Sequence, residues 1–234
     1  LSVAAPRPEP FGRKLIVVAG PPSAGKTSVI RALVPHVAEP ADVGYLKVDV
    51  VRTREAEALE RLGWACRAVI DEASCPDHVL FERLGVELEA LAGRRVVVVE
   101  TAGLCARCAP YVREGLAIAV LEATAGAEAA LKQGPLLTAA DLCVVTHGDR
   151  LGHAEREVFA ALVAPCLAPG ALVWLDGLTR TGLPRALRRL VPGFDAAPEL
   201  PSSPLTPRSV PPRLYCSLCL GRRDLVLEPA GVAC

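Results

Sequence analysis

The chain has 234 residues, 51% of them apolar, which is enough for one substantial α/β core and a small appendage. Its 26 basic and 26 acidic side chains balance to a formal charge of zero, so no overall field favours nucleic acid or an acidic membrane surface. No apolar run approaches the roughly 20 residues that span a bilayer, and residues 1–13 lack the apolar core of a signal peptide. A cytoplasmic protein that neither binds nucleic acid nor inserts into a membrane is expected.

Residues 15–19 are an unbroken apolar strand. Gly20-Pro21-Pro22-Ser23-Ala24-Gly25-Lys26-Thr27 follows, and a helical pattern opens at Ser28. This is G-x-x-x-x-G-K-[ST] between a strand and a helix, the setting in which a phosphate-binding loop works. The loop's backbone N–H groups and the positive end of the helix face the phosphates. Lys26 is placed to reach the β- and γ-phosphates, and the Thr27 hydroxyl to ligate Mg²⁺.

Residues 43–50 read as a second strand, 53–62 as a helix, 65–70 as a short strand and 71–76 as a loop. A helix over 77–91 carries Val79, Leu80, Leu84, Leu88 and Leu91 on one face. The valine run within 95–100 fits a central parallel strand buried on both faces. Strands follow at 116–121, 142–146 and 171–175, with helices at 153–167 and 183–190. The expected architecture is α/β: a doubly wound, mostly parallel sheet with helices on both faces and ligand at the carboxyl ends of the strands. It divides into a nucleotide domain at 14–191, a Pro-rich linker at 192–213 and a Cys-containing segment at 214–234.

Asp49 and Glu100 each end a predicted strand and so share the sheet edge of the phosphate loop. Either suits the Mg²⁺ shell or the attacking water, and with Lys26 they form the candidate catalytic set. Each alone also reads as a solvated strand-end acid. Thr146-His147-Gly148-Asp149 stands where guanine-specific proteins carry Asn-Lys-x-Asp. Asp149 suits the N1–H and amine of guanine, donors that adenine does not present together, so GTP is favoured. A turn before the next helix is the plainer reading. Residues 176–183 would supply a second loop over the base.

Nine cysteines are many for a reducing compartment, and their spacing points to metal. Cys75 lies three residues before His78, and Cys105/Cys108 and Cys216/Cys219 are C-x-x-C pairs, the latter with Cys234 beyond it. Thiolate and imidazole suit Ni²⁺ or Zn²⁺, and paired thiolates also suit an Fe–S cluster. A redox pair at Cys105/Cys108 and free thiols in the tail stay open. Cys143 and Cys166 lie in apolar surroundings and read as small buried hydrophobes.

In this order the motifs resemble the nickel-insertion GTPases. These are the hydrogenase and urease accessory G proteins, in a wider group that includes cobalamin-associated metal chaperones. Residues 20–27 resemble their phosphate loop, and Asp49-Val50 with 54–59 their Asp-Ile and Glu-Asp-Ala-Glu stretch. Glu100-Thr101-Ala102-Gly103 resembles their Glu-x-x-Gly, and 146–149 their base motif; the likeness spans about 14–190. Cys75-Pro76-Asp77-His78 resembles their Cys-Pro-His, with Asp77 intervening, and Cys105 to Cys108 falls near a Cys-Pro ligand of the hydrogenase protein. The resemblance implies a slow GTPase with a metal site coupled to the nucleotide switch and often shared across a homodimer. Its partners would be a client metalloenzyme or that enzyme's maturation factors. A P-loop phosphotransferase with an Arg lid drawn from Arg52, Arg54 or Arg67 is one alternative. A nucleotide-binding Fe–S or redox module is another.

Overall fold

The valine run lies where its composition places it, in the middle of a sheet. The computed structural model describes residues 12–51, 55–72, 75–103, 108–200 and 205–208. Its strands are β1 (Lys14–Ala19), β2 (Val43–Asp49), β3 (Ala65–Ile70), β4 (Val96–Thr101), β5 (Gly115–Glu122), β6 (Leu142–Thr146) and β7 (Leu172–Trp174). The helices are α1 (Lys26–Leu33), α2 (Glu55–Glu60), α3 (Pro76–Ala90), α4 (Ala127–Leu131), α5 (Gly134–Thr138), α6 (His153–Val163) and α7 (Leu183–Ala196). The seven strands form one sheet in the order β3-β2-β4-β1-β5-β6-β7, and every pairing is parallel. The doubly wound expectation therefore holds. The chain order reverses across β1, which pairs with β4 on one side and β5 on the other, so the residues after β1 open into the crevice between diverging connections.

Period-two alternation assigns the two faces. Leu15, Val17 and Ala19 of β1 join the core formed with α3, α4, α5 and α6, whereas Ile16 and Val18 join the core formed with α1, Leu59 of α2, and α7. All five apolar residues expected on one face of α3 are buried against that first core. Tyr45 of β2 and Val98 of β4 lie on the α1 side. The same alternation puts Lys47, Asp49 and Glu100 on the side of α1.

Several local expectations change. The 153–167 helix stops at Val163 and continues as a short 3-10 turn. Helices α4 and α5, in the crossover from β5 to β6, were not foreseen; each is five residues long, too short for a helical period to show. Helix α3 begins at Pro76 rather than Asp77, with Cys75 as its N-cap, the position where proline fits best as the first helical residue. The composition change at Pro192 does not end the last helix, which runs to Ala196 with Pro192 inside it. Pro192 is exposed, Phe194 is buried, and the Lys14 ammonium donates to the carbonyls of Phe194, Asp195 and Ala197 at 2.9, 2.8 and 2.8 Å. A buried cation from β1 thus satisfies the free carbonyls of that helix end.

The expected linker also has core contacts of its own. Leu200 and Leu205 pack on the first core, and the Arg208 guanidinium donates to both Asp141 carboxylate oxygens at 2.7 Å. Among the described residues no helix is long and apolar enough to cross a membrane.

Candidate nucleotide and metal site

The phosphate loop is held open by backbone that only small residues permit. Gly25 precedes α1 with φ +84°, and Ser23 also takes a positive φ, +63°. Beyond β4, Gly103 has φ +72°, and a Cβ there would lie 1.6 Å from the Gly20 carbonyl oxygen. Glycine is thus required where the chain leaving β4 meets the loop leaving β1.

The expected catalytic residues come together. The Thr27 hydroxyl donates to the Glu100 carboxylate, 2.9 Å from each oxygen, and the Tyr45 hydroxyl donates to Oε2 at 2.9 Å. Burial, then the Glu100 charge, push the Tyr45 phenol far above its ordinary range, so it stays a donor. The Lys26 ammonium is buried and donates to the carbonyls of Gly20 at 2.9 Å, Pro21 at 2.8 Å and Ala102 at 3.3 Å. Loss of water lowers its pKa, and the Glu100 carboxylate opposes that shift. Asp49 ends β2; its Oδ1 accepts from the Val50 N–H at 2.8 Å.

The sequence reading missed Lys47. Its ammonium lies 3.1 Å from Glu100, 3.6 Å from Asp49 and in contact with Glu55 at the start of α2. Burial works against the charge, but Glu100 and Glu55 outweigh it and raise the Lys47 pKa. The signal was present: Tyr45, Lys47 and Asp49 alternate along one strand, which puts their side chains on one face.

At the other flank, Thr146 is buried and its hydroxyl lies 2.9 Å from the Ala24 carbonyl and 3.1 Å from that of Leu121, tying β6 to the phosphate loop. His147 follows with φ +54°, its Nδ1 3.7 Å from Glu122. Asp149 is exposed in the next short turn. The loop beyond β7 is pinned by Asp176, whose Oδ1 accepts from the backbone of Leu178 at 2.8 Å and Thr179 at 2.6 Å. Gly177 abuts Ser28 so closely that a Cβ would lie 2.6 Å from the Ser28 Cβ. Ser28 therefore packs against the loop expected over the base.

Of the expected transition-metal ligands, His78 and Cys108 meet: Nε2 and Sγ are 3.8 Å apart, and both residues are buried. Cys75 is buried at the N-cap of the same helix as His78. Among the described residues no group of three or more His, Cys, Asp or Glu is gathered as a metal site. Cys105, Cys216, Cys219 and Cys234 lie outside the described residues, as do Arg52 and Arg54. Arg67 is engaged by Glu87 of α3. Cys143 is fully buried in β6, its thiol pushed up to about 12 by burial, and Cys166 is half-buried beside the first core.

No family model matches the chain. Two of the solved structures that share its fold are HypB proteins. Hydrogenase maturation factor HypB from Archaeoglobus fulgidus superposes with a TM-score of 0.58 at 18% identity, over 77% of this chain and 90% of that one. HypB from Helicobacter pylori, solved in complex with nickel, gives 0.59 at 16% identity, over 82% and 92%. The sheet is that of the P-loop NTPases. In sequence, the chain is 34% identical over 213 residues to the uncharacterized protein MJ0120 of Methanocaldococcus jannaschii, with 89% of each covered. The chain therefore belongs to the family of MJ0120.

Proposed function

We propose that the chain is a GTP-binding and GTP-hydrolysing metallochaperone, in which nucleotide state governs delivery of a metal ion, nickel foremost, to a client metalloenzyme or its maturation factors. The hydroxyl and carboxylates of Thr27, Glu100 and Asp49 are an all-oxygen donor set at the loop, the chemistry that Mg²⁺ prefers. These three residues would hold the ion, which when bound neutralises charge on the β- and γ-phosphate oxygens. Lys26 exchanges its backbone carbonyls for phosphate oxygens, Glu100 and Asp49 orient the attacking water, and Asp149 reads the guanine edge. The loop at 176–182, packed on Ser28, covers the base.

The observation that carries the coupling is the hydrogen bond from the Lys26 ammonium to the Ala102 carbonyl. When Lys26 turns to a γ-phosphate, that carbonyl is released, and Cys108, whose partner is His78, follows Ala102 later in the same chain segment. A His and a Cys sharing one tetrahedral ion stand about 3.5 Å apart, close to the separation of this pair. Cys75 and Cys105 are the other cysteines proposed to complete the shell, within the chain or across a homodimer. Cys216, Cys219 and Cys234 form a possible second thiolate site, for zinc or an Fe–S cluster. The likeness of fold to HypB, one example of which was solved with nickel, supports this choice of function and metal.

The test is nucleotide binding and turnover on the purified full chain with Mg²⁺. Slow hydrolysis of GTP, with ATP bound at least about tenfold more weakly, is expected. Equal affinity for both nucleotides, or no hydrolysis of either, would contradict the reading.

A further inference from the structure

Lys47 is a buried lysine among the acids of the site. It sits on β2, one strand in from the sheet's β3 edge, in register with Glu100 on the adjacent strand, and its side chain is 6% exposed. Its ammonium faces three carboxylates: Asp49 of its own strand, Glu55 of α2 and Glu100 of β4. Those acids lead the two segments that follow β2 and β4, beside the phosphate loop. Lys26 is the second cation near this group, and it is coupled electrostatically to Glu100, Lys47, Asp49 and Glu55. Three carboxylates against two ammonium groups leave one net negative charge. Without Lys47 there would be two.

We propose that Lys47 is a built-in counter-cation of the phosphate site, which supplies part of the charge neutralisation otherwise left to Mg²⁺, so that nucleotide affinity depends only weakly on that ion. The inference rests on the nucleotide reading above. Its physical basis is that phosphates approach an edge rich in carboxylates, and like charges in a partly buried site repel strongly. A divalent ion relieves that repulsion only while bound. Lys47 relieves it permanently, because Glu100 and Glu55 hold its ammonium in place. Lys47 is a positioning residue: it acts through Glu100, which contacts the Thr27 hydroxyl, and not on the phosphates themselves.

The experiment measures the Kd of the full chain for GDP and for a non-hydrolysable GTP analogue, with Mg²⁺ and with EDTA, in wild type, Lys47→Gln and Lys47→Arg. Chelation should weaken wild-type binding by less than about tenfold, and Lys47→Arg should behave alike. In Lys47→Gln chelation should weaken binding by about a further 30-fold, on the scale of one unit charge at an effective dielectric of about 20. A merely structural lysine would shift both affinities together and leave their ratio unchanged. That result overturns the proposal, as does a wild-type loss beyond about 100-fold on chelation, which needs no variant to read. Wild type that binds neither nucleotide under either condition overturns the nucleotide reading first, and this inference with it.

Discussion

Thr27 and Glu100 are joined across the sheet edge: one hydroxyl lies 2.9 Å from both oxygens of one carboxylate, 73 positions away in sequence. The contact joins the first helix to the strand beside β1, and Tyr45 and Lys47 of β2 attach to the same carboxylate. In the proposed function, the metal and water chemistry meet at this pair.

Replacing Glu100 with Gln keeps the shape and two of its polar contacts but removes the charge. GTP hydrolysis should fall by about 10²-fold, more than nucleotide affinity changes, because Glu100 orients the attacking water as well as helping to hold Mg²⁺. Single-turnover rates alongside equilibrium binding check this split.

Gly103 is placed by the close approach of two loops. An alanine Cβ would lie 1.6 Å from the Gly20 oxygen at a backbone angle of φ +72°, so the two loops must part. Gly103→Ala should cost about 1–3 kcal/mol of stability and weaken nucleotide binding, read by thermal unfolding with and without GDP.

Asp149→Asn should weaken GTP by about 10- to 100-fold, the scale of a lost charge-assisted hydrogen bond, and leave ATP unchanged. Competition between the two nucleotides on one sample measures it. Equal losses for both would remove Asp149 from base recognition.

The loop after β7 should resist acid. The Thr179 backbone N–H, with that of Leu178 beside it, holds the Asp176 carboxyl below the usual carboxylate range, against an opposing effect of burial. The folded value lies below the unfolded one, so its contribution is present above about pH 4 and is lost as pH falls through the folded value. The fluorescence of Trp174, two residues before Asp176, should stay constant from neutral pH to about pH 4 and change only below it. Asp176→Asn should remove that acid step.

How much of this was legible depends on the range of the interaction. The phosphate loop shows in sequence because strand, glycines, Lys26, Thr27 and helix are contiguous, and their chemistry is local. Asp49 and Glu100 show because each ends an apolar run. Lys47 does not, since one cation inside a strand acquires meaning only when β4 brings Glu100 opposite and α2 brings Glu55 over it. The full length of α7 was hidden for a similar reason. Pro192 argues locally for an end, and the cation that holds the helix to Ala196 comes from Lys14, far away in sequence but in contact with it. Thr146 looked like a reader of the base, yet its hydroxyl lies against the phosphate loop and Leu121, a contact that no spacing rule contains.

The proposed link between the nucleotide and the His78–Cys108 pair runs through Lys26 and Ala102. Its most direct test is Ni²⁺ affinity, by competition with a chromophoric chelator, for the chain bound to GDP and to a non-hydrolysable GTP analogue. At least about a fivefold difference between the two states is expected, abolished in Cys108→Ala and His78→Ala. Equal Ni²⁺ affinity in both states, with metal binding undiminished in those variants, would contradict it.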